Sequence, residues 1–286
     1  MESKIAVTRI YRFGDVYKVV WFKSPPKAPH RSECQFFESP ETIDCDGDFL
    51  REYRKEMGLP DLSEKLSENS DSCPTELSKK SHSTETEKAQ CNISRARSRI
   101  LELALCNPWE YFVTLTLNSE KQDREDLKKY VHDLGVWIGN FNKKYDSSMK
   151  YILIPEKHKD GKSWHMHGLF HDIPDSALAR NEYGYLDIPY YANRFGFISL
   201  SPVKDHERVA RYITKYITKD VVQRKESKHE HLFYASRGLS GKEIVMQTMS
   251  MPVDDGAYES EYTMSKWYST SDEKRKLLKF VSELTF

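Results

Sequence analysis

The chain has 286 residues, 38% hydrophobic and 31% charged, with 44 bases balanced by 44 acids. That length allows one large domain or two small ones with a sizeable core, and a net charge of zero excludes a uniformly basic nucleic-acid coat. No run of about 18 apolar residues is present to span a membrane, and the start MESKIAVTRIYRF lacks the apolar core of an export signal, which predicts a chain that stays in the cell.

Residues 4–22 alternate apolar and polar around Gly14-Asp15 and predict a β-hairpin without an assigned role. Residues 25–91 form a polar, acidic linker, partly disordered. It carries Pro25, Pro26, Pro29 and Pro40, and residues 32–91 hold 15 acids against 7 bases. A short helix over 48–57 is compatible with this stretch. Of the five cysteines, Cys34, Cys45, Cys73, Cys91 and Cys106, none forms a C-x-x-C pair. Reduced thiols are therefore expected, rather than a disulfide framework or a zinc ribbon.

From residue 92 the pattern becomes globular. An amphipathic helix is predicted over 94–106, with Arg95, Arg97 and Arg99 in its first turns and Pro108 as its stop. A strand follows over 111–117 (YFVTLTL). The next helix, capped by Asn118 or Ser119, runs to about 145. Strands over 149–156 and 163–170 flank the turn Asp160-Gly161. A strand over 196–201, a helix over 204–222 and a last strand over 231–235 complete the pattern. The mixture predicts an α+β fold with a central antiparallel sheet and flanking helices. The predicted organisation is a hairpin (1–24), the linker (25–91), a catalytic domain (92–245) and a C-terminal extension (246–286).

The stretch Trp164-His165-Met166-His167-Gly168-Leu169-Phe170 is the sharpest local feature. In a strand His165 and His167 project from one face, about 7 Å apart at Cα, while Trp164 and Met166 enter the opposite core. Gly168 is expected to remove bulk beside the imidazoles. If the turn closes at Asp160-Gly161, Glu156 reaches the level of His165. His158 shares its parity and competes as third ligand. Two imidazoles and a carboxylate would suit Mg²⁺ or Mn²⁺ acting on a phosphate.

The segment Arg208–Lys219, RVARYITKYITK, places Val209, Ile213 and Ile217 on one sector of a helix. Tyr212, Tyr216 and Lys219 fall on a neighbouring sector with Arg208 and Lys215. Cations beside a phenol favour phenolate and attract a phosphodiester, and a positioned tyrosine can attack phosphorus. Residues 203–242 hold 10 bases against 5 acids, a basic region within a neutral chain. The loop with Tyr190, Tyr191, Arg194 and Phe195 offers aromatics and charge for stacking on single strands.

Taken in order, YFVTLTL, WHMHGLF and YITKYITK resemble the HUH endonuclease superfamily, specifically rolling-circle replication initiators with a two-tyrosine active helix, of small phage or plasmid type. The resemblance spans about Tyr111 to Lys219. It implies an RRM-like core and metal-dependent, site-specific nicking and joining of single-stranded DNA, a nucleotidyltransferase chemistry with a covalent 5′-phosphotyrosine. On this resemblance Tyr212 and Tyr216 are the nucleophiles, assisted by Lys215 and Lys219. Glu156, His165 and His167 hold the metal, and Arg208, Arg211, Tyr191 and Arg194 contact DNA. The implied partners are single-stranded or hairpin origin DNA and a host helicase and polymerase acting in trans, in a bacterial cytoplasm. No G-x-x-x-x-G-K-[ST] loop is present to supply a fused helicase. A transposase of the same chemistry and a non-catalytic origin-binding protein remain alternatives.

Overall fold

The computed structural model describes residues 6–24, 85–158, 160–217, 231–249 and 251–284. Most of the expected linker, the helix expected over 48–57, Lys219 and the end of the expected tyrosine helix lie outside them. The fold is α+β, with two antiparallel sheets and helices against them.

The larger sheet has seven strands. They are β3 (Tyr111–Thr116), β4 (Lys150–Lys157), β5 (Trp164–His171), β6 (Ala179–Arg180), β7 (Leu186–Asp187), β8 (Ile198–Pro202) and β9 (Tyr234–Ala235), in spatial order β6-β7-β8-β3-β5-β4-β9. β5 lies between β3 and β4, both antiparallel to it. The β4–β5 hairpin turns at Gly161, whose φ of 71° suits a residue without Cβ.

Two apolar layers cover this sheet. On one face lies α1 (Glu85–Cys106), which packs Ile93, Ala96, Ile100, Leu103 and Ala104 around Phe112, Ile152, Ile154 and Leu169. The helix begins in the stretch read as linker, because its first turns are polar and carry no apolar period. Cys91 on this helix is buried and disulfide-bonded, against the expectation of reduced thiols. No C-x-x-C spacing announces that bond in the sequence. α4 (His206–Ile213) and a 3₁₀ turn over Thr214–Tyr216 add Val209, Ala210, Ile213 and Ile217 to the same layer.

The opposite face is covered by α2 (Leu127–Tyr145), with Tyr130, Leu134, Trp137, Ile138 and Phe141 buried at helical spacing. Each such side chain stabilises the fold by about 1.5–3 kcal/mol. α2 is capped by the Asp126 carboxylate on the Lys129 N–H, not by Asn118 or Ser119. Asn118 instead closes a tight turn by accepting from the Glu120 N–H. A short helix, α3 (Pro189–Ala192), tucks Tyr191 into this layer.

Gly168 belongs to this second face, since it alternates with His167 and Leu169. A Cβ there would collide with the Ile152 carbonyl oxygen and approach Leu153 Cδ2 to 2.6 Å. Its role is the close approach of β4, not room beside the histidines. Gly168→Ala is expected to cost about 3 kcal/mol, the upper range for overpacking. Thermal unfolding by circular dichroism should then show a melting point lower by roughly 5–10 °C. An unchanged melting point would refute this packing account.

The second sheet joins the two ends of the chain. Strands β1 (Val7–Phe13) and β2 (Val16–Phe22) form the predicted hairpin. β1 pairs with β10 (Glu243–Thr248), and β2 pairs with β12 (Thr263–Tyr268), which carries β11 (Tyr258–Glu259) on its outer edge. One face packs Ile10, Val19, Trp21 and Tyr268 against Leu277 of α5 (Ser271–Leu284). The other turns Phe13 and Val16 toward α1, where Gly14, at φ 57°, sits against the Leu105 carbonyl oxygen. Among the described residues no helix is long and apolar enough to cross a membrane.

Candidate active site

Strand alternation sets the site. His165, His167 and Leu169 project from β5 toward α1 and α4, while Met166 and Phe170 enter the opposite layer. The register pairs Thr114 with His167 and Thr116 with His165 on one side. On the other it pairs Glu156 with His165 and Ile154 with His167. The expected level of Glu156 on the neighbouring strand therefore corresponds to the observed register.

His167 is the hub. Its side chain is buried, and its Nε2 donates to Glu156 Oε2 at 2.8 Å. Nδ1 lies 3.2 Å from Thr114 Oγ1, from which it accepts in this tautomer. The ring stacks on Tyr216, with centroids 4.1 Å apart and planes 16° from parallel. His165 lies beside it at 5.5 Å between centroids. Burial, reinforced by His167, pulls the His165 pKa down to about 4, with Glu156 opposing, so this imidazole is neutral at neutral pH. His158 is exposed, 5.1 Å from His165 and 4.0 Å from the Asp160 carboxylate.

Among the described residues no three His, Cys, Asp or Glu side chains converge as a ready metal centre. Glu156 and His167 are closed on one another instead. The donor set itself suits a divalent cation, with two imidazoles and a carboxylate on adjacent strands of one face. Thr114 adds the outer support such a site needs. By accepting from Nδ1–H it would free the Nε2 lone pair and keep the ring in place.

The tyrosines reach the same spot from α4 and its 3₁₀ extension. Tyr212 and Tyr216 are both buried, with their hydroxyls 2.9 Å apart. Tyr212 meets Phe112 edge-on at 5.6 Å. The helix is shorter than the sequence suggests, because α-geometry ends at Ile213 and the turn tightens through Tyr216. Arg97 of α1 holds that end. Its Nε and Nη2 donate to the Ile217 carbonyl oxygen at 3.0 and 2.6 Å, satisfying one of the acceptors a helix end leaves open.

The expected escort of cations is not on the tyrosine face. Lys215 is exposed, whereas both tyrosines face the core. Arg211 pairs with Glu207 at 2.7 Å and lies over the Trp267 ring of β12, so it is directed to the second sheet. Arg208 and Arg194 are exposed, the latter beside the Phe195 ring. Tyr191, expected to contact DNA, is fully buried, with its hydroxyl 2.7 Å from that of Tyr130. Burial raises its pKa well above the usual phenol value, and stacking on a base would require tearing it from the core. Arg97 and Thr114 are site residues whose roles the sequence did not disclose. Arg97 stood among three basic residues of its helix, with nothing to single it out.

Residues 110–221 match the family model for the replication-associated protein ORF2. The matched span holds Thr114, Glu156, both histidines and both tyrosines, and leaves the second sheet outside. No curated protein and no solved structure matches the chain. The match supports a replication-associated role.

Proposed function

We propose that the chain is a rolling-circle replication initiator that nicks and rejoins single-stranded DNA through a 5′-phosphotyrosine, as the HUH resemblance implies. The observation that carries this reading is the stack of Tyr216 on His167, whose Nε2 meets Glu156. It brings a tyrosine pair and a histidine–carboxylate cluster, 49 residues apart in the case of His167 and Tyr216 (216 − 167), into one site inside the matched span.

In this reading one phenol oxygen bonds to the scissile phosphorus as the bond to the 3′ oxygen breaks. The phenol gives up its proton and the departing 3′ oxygen gains one. The neighbouring tyrosine hydroxyl, 2.9 Å away, offers a route for the first proton and a second nucleophile for strand transfer. Mg²⁺ or Mn²⁺ held by Glu156, His165 and His167 would supply Lewis-acid charge withdrawal at the phosphate. Thr114 keeps the His167 ring oriented, and Arg97 holds the segment that bears Tyr216. Single-stranded or hairpin origin DNA is the substrate, and the new 3′ end would prime a polymerase acting in trans beside a separate helicase.

The test is incubation of the protein with labelled single-stranded oligonucleotides and Mn²⁺, followed by a denaturing gel. A covalent protein–DNA band is expected, and EDTA should abolish it. Binding without any adduct would sink the nuclease reading and favour a protein that only binds an origin.

A further inference from the structure

Arg124 lies in the loop between β3 and α2 and belongs to none of the motifs described above. The loop is bolted to the strand that carries the histidines. The Trp164 N–H donates to the Arg124 carbonyl at 2.9 Å, and Trp164 Nε1 donates to the Glu125 carbonyl at 3.0 Å. Trp164 immediately precedes His165, so Arg124 is fixed at the open end of the site. Its positive charge is felt by the His165 ring, alongside those of its neighbours.

The side chain itself is uncommitted. Arg124 Nε is buried without a hydrogen-bond partner, and among the described residues the guanidinium makes no ion pair, although Asp123 and Glu125 flank it in sequence. Buried donors of native proteins are normally satisfied, and leaving one unmet is costly. The other charged groups around this end are Glu156, His158 and Lys157, and Lys157 lies over the Trp164 ring. A guanidinium is planar and five-donor, and matches two oxygens of a phosphate at once. Among the described residues the tyrosine face offers no such cation, since Arg211 is engaged by Glu207.

We infer that Arg124 is a phosphate ligand of this site, gripping the non-bridging oxygens of the scissile phosphodiester beside His165. The inference rests on the nuclease reading above. It assigns to the loop before α2 the charge stabilisation that Lys215 and Lys219 were expected to give.

The test uses the full chain as wild type, Arg124→Gln and Arg124→Lys, each checked for an unchanged melting curve. In EDTA, where no cutting occurs, anisotropy of a labelled oligonucleotide is followed against salt. Arg124→Gln should lower the slope of log K against log salt by about 0.7, the value for one lost single-strand phosphate contact, and Arg124→Lys should keep the wild-type slope. In Mn²⁺, adduct formation by Arg124→Gln should fall by about a hundred- to a thousand-fold, the scale for one lost donor to developing charge. Arg124→Lys should recover only part of that, because it restores charge without the fork. A wild-type slope for Arg124→Gln overturns the inference, as does a changed slope with wild-type adduct formation, which would place the contact on another phosphate. A wild type that binds but forms no adduct defeats the nuclease reading alone, and the EDTA slopes still decide whether Arg124 holds a phosphate.

Discussion

Tyr216→Phe is expected to reduce first-strand nicking far more than Tyr212→Phe, and the double variant to form no covalent adduct while still binding DNA. The asymmetry follows from position. Tyr216 lies against the His167 ring at 4.1 Å, whereas Tyr212 sits one turn back, edge-on to Phe112, and reaches the site through the Tyr216 hydroxyl. Loss of the attacking oxygen should cost on the order of a million-fold, as deletion of a covalent nucleophile does elsewhere. Tyr212→Phe removes one partner of a buried hydroxyl pair and leaves Tyr216 with one fewer proton acceptor. It should cut at a reduced rate and fail in the second transfer. Peptide mapping of the trapped adduct gives the decision. DNA found mainly on Tyr212 in the wild type would reverse the assignment, and an adduct persisting in the double variant would discard both tyrosines.

Much of this site was legible because it depends on local periods. Period-two alternation placed His165 and His167 on one face, and the Asp160-Gly161 turn fixed Glu156 opposite His165. Spacing i, i+4 put Tyr212 and Tyr216 on one side of a helix. Their surroundings were not legible. The helical wheel distinguishes core from flank only if the width of the covering sheet is known. Here Phe112 extends the apolar floor under the tyrosines, which buries them and leaves Lys215 outside. Tyr191 was misread for a related reason, because an aromatic in a polar loop looks exposed until a four-residue helix turns it inward. Arg124 and Arg97 act through tertiary hydrogen bonds to Trp164 and Ile217, and no spacing rule joins those pairs. The second sheet is the same problem at larger scale, since it joins strands more than 200 residues apart by antiparallel pairing that leaves no periodic trace across the gap.

His165→Ala separates function from stability more cleanly than any change at His167. His167 is tied to Thr114, Glu156 and Tyr216, so its removal would disturb packing and chemistry together. His165 is only partly buried and neutral, and its ring contacts are to His158 and His167. Its replacement should shift the melting point by no more than a few degrees, since no buried partner is left unpaired. If His165 contributes a lone pair to a divalent cation at the phosphate, its loss should remove several kcal/mol of transition-state stabilisation. At about 4 kcal/mol this is close to a thousand-fold in nicking rate. Raising Mn²⁺ should restore part of the activity in His165→Ala, because a weakened ligand set is refilled by mass action. The variant should nevertheless bind labelled oligonucleotide in EDTA as the wild type does. Wild-type nicking by His165→Ala, or nicking by the wild type in excess EDTA, would rule out this imidazole as a metal ligand and leave the tyrosines to be activated by Thr114-held His167 alone.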